Sequence, residues 1–151
     1  MSKQDIGVIL AALEPVASGA ALTATEIDDF KGFVESADTP ARIILPSNEG
    51  DTHSLEPRGV GRTARMDWII KDLLLYRPAE EGMGWLEVGY ALDDYCDSYA
   101  EKLIVANRDT AGLCSIPAEL INAEFLVGVH TFTKRRYYGV MVTLTIREFM
   151  K

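Results

Sequence analysis

Apolar and polar residues change period several times along this chain, and each change marks an element. Between residues 5 and 14, Ile6, Ile9, Leu10 and Leu13 recur at helical spacing, and Pro15 sits where an interior helix residue would lose its hydrogen bond. A short first helix is predicted to end there. Thr25-Glu26-Ile27-Asp28 has the form of an N-cap followed by an acid. Ile27, Phe30 and Val34 fit one face of a second helix before the turn-rich "ESADTP". Bounded by prolines, "ARIILP" reads as a short buried or edge strand. The polar, glycine-bearing "SNEGDTHSLEPRGVGRT" then predicts a projecting loop over about residues 47–65, ordered only against a neighbour.

In "ARMDWIIKDLLLY" the period is two. Met66, Trp68, Ile70, Leu74 and Tyr76 fall on one side and Arg65, Asp67 and Lys71 on the other. Asp72 interrupts the apolar side, whereas Ile69 and Leu73 on the polar side imply that something covers that face too. From Trp85 to about Ala106 the period becomes helical. Trp85, Val88, Leu92, Cys96, Tyr99 and Leu103 form the apolar stripe, opposite Glu87, Asp94, Asp97 and Glu101. The chain closes with "AEFLVGVHTFT" and "YGVMVTLTIREFM", two strands flanking "KRRY". In the second of them Val140, Val142, Leu144 and Ile146 alternate with Met141, Thr143, Thr145 and Arg147, the pattern of a half-buried antiparallel strand. The order predicts a single domain over 1–151 of α+β class, a mostly antiparallel sheet of about four strands with its helices on one face.

Composition narrows the function classes. With 48% hydrophobic and 25% charged residues the chain has enough apolar material for a packed core. No run reaches the roughly 20 apolar residues of a membrane helix, so no membrane partner is expected. The start, Met-Ser-Lys-Gln-Asp, lacks the features of a secretory leader, and a cytoplasmic site of synthesis and assembly is the expectation. A formal charge of -8 argues against tight nonspecific binding to nucleic acid, which draws its free energy from cations placed on phosphate.

Catalytic constellations are weak. "GVGR" at Gly59 to Arg62 has neither dinucleotide-loop spacing nor a phosphate-loop lysine, and Asp51 with His53 supply two potential metal ligands and no third. Cys96 and Cys114 show no zinc spacing. Asp93 and Asp97, four apart on the helix, read as a charged outer face. No catalytic residue, cofactor or metal is expected. The rival reading is a small cytoplasmic enzyme or ligand-binding domain that uses His130 with Glu101 or Asp97.

Interface chemistry is more pronounced. Lys134-Arg135-Arg136-Tyr137-Tyr138 combines the side chains enriched at protein interfaces. Arg58, Arg62 and Arg65 add a second basic segment, and Asp94, Asp97 and Glu101 offer an acidic counterpart. Unlike patches at different places on one subunit generate a head-to-tail contact that closes into a ring when the rotation permits.

The layout resembles the tail terminator (tail completion) proteins of long-tailed bacteriophages of the lambda type. The resemblance rests on the N-terminal helix, "TPARIILP", "TARMDWIIKDLLLYRP", "GWLEVGYALDDYCDSY" and "RRYYGVMVTLTIREF". It implies a virion protein at the tail-neck junction, a six-membered ring of identical subunits that caps the tail tube protein, stops its polymerisation and presents a surface to the head-side connector or stopper. Genomic DNA would pass through the lumen without sequence-specific binding, and no catalysis is implied. Another neck component, a head-closure or adaptor protein, is the alternative within this class.

Overall fold

A computed structural model describes residues 13, 15–17, 20–22, 25–26, 39–45, 50–58, 63–79, 84–108 and 118–150. Three long strands dominate it: β6 (Thr63–Pro78), β7 (Ala118–Phe132) and β8 (Arg135–Met150). Sixteen residues at about 3.3 Å each make β6 and β8 roughly 50 Å long. β8 pairs antiparallel with β6 on one side and β7 on the other. β4 (Ala41–Leu45) and β5 (Ser54–Arg58) share the remaining edge of β6, each antiparallel to it. β3 (Thr25–Glu26) lies parallel beside β4 and completes a sheet of six strands in the order β3-β4-β6-β8-β7, with β5 on β6. A separate two-stranded ribbon joins β1 (Val16–Ala17) to β2 (Ala20–Ala21).

The mostly antiparallel α+β architecture is therefore present, but sheet outweighs helix. The expected sheet of about four strands has six, because two short strands arise where loop or helix was predicted. Ser54–Arg58 pairs residue by residue with Thr63–Asp67, so within the polar 47–65 stretch residues 54–58 and 63–65 are paired strand and not loop. Thr25-Glu26, read as a helix start, is strand; the rest of that predicted helix, like most of the first one, lies outside the described residues.

The helix α1 (Trp85–Arg108) buries Val88, Leu92, Tyr95, Tyr99 and Leu103 against Ile70, Leu74, Val140, Val142, Leu144 and Ile146. Of the stripe that the helical spacing predicted, Val88, Leu92, Tyr99 and Leu103 are buried and Cys96 half-buried, Tyr95 joins them, and Trp85 at its start is 44% exposed. The β1–β2 ribbon docks against the same helix, where the Val16 amide donates to Ser98 Oγ at 3.0 Å. A second cluster packs on the opposite face of the sheet: Ala41, Ile43, Leu73, Leu75, Phe132 and Tyr137. Leu73 thus has the cover that its place among polar neighbours implied. The sheet is buried on both faces at this end, whereas toward the other end the second face turns polar, with Glu56, Arg65, Asp67, Glu119 and Arg147.

Candidate functional site

The β7–β8 turn carries the basic tip. Thr133 and Lys134 both have positive φ, 47° and 66°, the two-residue turn whose twist matches that of the flanking strands. Lys134 and Arg136 project into solvent, and Arg135 is half-buried and engaged within the chain. The tyrosines behave differently from the interface pair expected. Tyr137 is 0% exposed and belongs to the second cluster beside Phe132. Its ring is withdrawn from any docking surface, because alternation along β8 sends it to the covered face while Arg136 points away. Tyr138 is half-buried, 5.9 Å from the Trp85 ring.

Of the second basic segment, only Arg65 has a described side chain; it pairs with Glu56 directly across the β5–β6 hairpin. Arg58 is placed in β5 by its backbone alone, and Arg62 lies outside the described residues. The loop candidates Asp51 and His53 are anchors. Asp51 binds Lys71 at 3.0 Å, and His53 Nδ1 accepts from the Ile69 amide at 3.2 Å with its ring 5.1 Å from Trp68. Among the described residues no three His, Cys, Asp or Glu side chains gather as a metal-holding group.

The acidic surface is on α1. Asp93, Asp94, Asp97 and Glu101 are exposed, as their positions opposite the buried stripe require. Apolar side chains flank them, which the stripe analysis missed: Leu86 is 84% and Tyr90 80% exposed at the start of the helix, and Ile104 and Val105 are exposed near its end. Leu86, Tyr90, Asp93 and Trp85 line a shallow depression there. The spacing of Leu86 and Tyr90, four apart and off the core stripe, was the available signal.

His130 is not brought together with Asp97 or Glu101. His130 shares a groove of about 510 Å³ with Lys71, Glu124, Leu126, Met141 and Thr143 on one face of the sheet. Asp97 and Glu101 sit on α1, against the opposite face. The sheet stands between them. Nε2 of His130 meets the Leu126 carbonyl at 3.0 Å, and since a carbonyl only accepts, Nε2 carries the proton.

One ionic cluster escaped the sequence reading. Arg42 and Asp72 are both buried, with Arg42 Nε 2.8 Å and Nη2 2.7 Å from Asp72 Oδ2. The Tyr99 hydroxyl donates to the same oxygen at 2.7 Å, and Arg42 Nη1 donates to the Leu22 carbonyl at 3.0 Å. Burial alone would lower the Arg42 pKa; the Asp72 charge and hydrogen bond outweigh it and hold it above the ordinary value. Burial, then the Asp72 charge, pushes both Tyr95 and Tyr99 up, so these phenols stay neutral. The cluster is enclosed and ties β2's end, β4, β6 and α1 together. It is a structural tie rather than an open site. No described helix is long and apolar enough to cross a membrane. No family model matches the chain, and no curated protein matches it.

Proposed function

We propose that this chain is a structural subunit of the tail-terminator type, a head-to-tail ring that caps a tail tube and offers its other side to a head-side connector. The observation that carries the reading is the placement of two unlike surfaces. Lys134 and Arg136 stand exposed at the β7–β8 turn, and α1, after Glu87 in its first turn, carries the exposed acids Asp93, Asp94, Asp97 and Glu101 from two turns past Trp85 onward. Tyr138 against Trp85 sets the start of the helix near the turn end of the sheet, so the acidic face runs away from the basic tip. Asp97 and Glu101 thus lie progressively farther from their own copy's tip, and a neighbour's tip can meet them, the relation that builds a ring. Leu86 and Tyr90 beside the acids supply the apolar anchor that a charged contact alone lacks.

Lys134→Glu with Arg136→Glu, the two exposed cations of the turn, tests it. Exposed charges contribute little to stability, so the variant should keep the parent's unfolding midpoint. Mass photometry should show loss of the parent's higher assemblies, and electron microscopy loss of density at tube ends. A parent protein that is monomeric at every concentration and never found on a tube end would sink the reading. Density along the head side alone would favour another neck component.

A further inference from the structure

β7 is the outer strand of the sheet on the side away from β4, and its side chains are unusually open: Leu126 is 65% and Val129 40% exposed. Arg136 O accepts from the Ala79 amide, beyond the end of β6, so even-numbered residues of β8 face β6 and odd-numbered ones face β7. The register Phe132↔Arg135 and Gly128↔Gly139 then turns the even-numbered backbone groups of β7 toward β8. Those of Ala123, Phe125, Val127, Val129 and Thr131 point outward, with no partner strand among the described residues. Edges of this kind invite another strand unless blunted by charge, proline or a bulge; the bulge of β7 lies outside this stretch, between Leu120 and Asn122.

We propose that this edge pairs antiparallel with the same edge of a second copy, about a two-fold axis at Val127. Outward groups meet only when odd-numbered residues oppose odd-numbered ones, which restricts the register. Centring on Val127 makes "AEFLVGVHT" complementary to itself. Glu124 opposes His130 twice, Leu126 opposes the side-chain-free Gly128, and Phe125 opposes Val129. The Glu124–His130 and Leu126–Gly128 positions become non-hydrogen-bonded pairs, whose side chains approach most closely. His130 turns from the Leu126 carbonyl of its own chain to the partner's carboxylate. Centring one residue either way sets Glu124 against Gly128 or Phe132 and loses the hydrogen-bond donor for its carboxylate. The contact is closed and uses neither the acidic helix nor the basic turn, so it stands or falls independently of the ring.

Cysteine pairs and a charge swap test it in a Cys96→Ser, Cys114→Ser background. Glu124→Cys with His130→Cys should cross-link into a covalent dimer on mild oxidation, read on a denaturing gel, because opposed residues have Cα atoms about 4.5 Å apart. Either cysteine alone should stay monomeric on that gel, since its equivalent lies roughly 20 Å away along the partner strand. Without cysteines, His130→Glu opposes like charges twice and should weaken dimerisation on the order of tenfold. Adding Glu124→Lys should restore it. Single-cysteine variants that cross-link as well as the pair, a pair that does not cross-link, or a dimer indifferent to His130→Glu would each overturn the proposal.

Discussion

Asp72 is a carboxylate with no exposed surface, set between Ile70 and Leu74 on the apolar side of β6, and its removal is not equivalent to the removal of its pair. Asp72→Ala leaves the Arg42 guanidinium in the core with its main counter-charge gone, a change that costs about 3–5 kcal/mol in comparable sites. Arg42→Met with Asp72→Leu removes both charges and should cost less than Asp72→Ala alone, as urea midpoints would show. The two tyrosines should separate as well. Tyr99→Phe takes a donor from a charged acceptor and should cost about 1.5–3 kcal/mol. Tyr95 OH and Asp72 Oδ1 are buried with no hydrogen-bond partner, so Tyr95→Phe should be neutral or stabilising. Equal losses for the two phenylalanine variants would refute this assignment of roles. Cys96 shows the same burial at work on a thiol. Burial, then Asp93, pushes it up to about 11, so at pH 8 its thiolate is roughly a hundredfold scarcer than that of a thiol at 9. In a Cys114→Ser protein, alkylation should be correspondingly slow and should accelerate when urea unfolds the chain.

At the scale of elements, the β6–β8 ladder depends on Gly139. A Cβ built there would fall on the Leu74 carbonyl oxygen, a backbone atom fixed by the ladder, next to the irregularity between Leu75 and Arg77. Gly139→Ala should therefore cost more than 2 kcal/mol by thermal or urea unfolding. Gly128→Ala, directly across β7–β8 and with nothing near its Cβ, should cost far less. A near-equal pair of values would show that the strands slide to accommodate the methyl. The glycine's role was invisible in the sequence, where "YGVMVTLTIREFM" reads only as an alternating strand. What was legible were the elements whose burial has one period: the α1 stripe, the alternation of β8, and the second cover over β6 implied by Ile69 and Leu73. Thr25-Glu26 and Ser54–Arg58 were not, because short segments without apolar alternation become strands only through the partner they pair with, Ile43-Ile44 for the first and the adjoining Thr63–Asp67 for the second. Tyr137 was misread for a related reason: its neighbours in sequence are charged and exposed, but strand parity assigns it to the covered face. Asp72 was noted as a break in an apolar pattern, yet nothing in the spacing linked it to Arg42, thirty residues away.

The whole molecule carries a net charge of -8, so every association between copies begins against mutual repulsion. Ionic strength separates the two contacts proposed. At about 0.01 M salt the Debye length of roughly 30 Å lets whole subunits repel; at about 0.15 M it is near 8 Å, and only close pairs remain coupled. Contacts between the Lys134–Arg136 turn and the acids of α1 gain when long-range repulsion is screened and short-range attraction is not. At about 1 M, with a Debye length near 3 Å, that attraction goes too. Higher assemblies should thus pass through a maximum near 0.15 M. The β7 pairing draws mostly on backbone hydrogen bonds and on Leu126, Phe125 and Val129, which salt does not weaken, and its two Glu124–His130 contacts are close pairs that outlast the longer-range attraction, so the dimer should persist as larger species disappear. Sedimentation velocity at the three salt concentrations distinguishes these behaviours. Assemblies that grow steadily up to 1 M would mean that Leu86 and Tyr90, not opposite charge, hold the subunits together, and the basic turn would then be a solvated loop end.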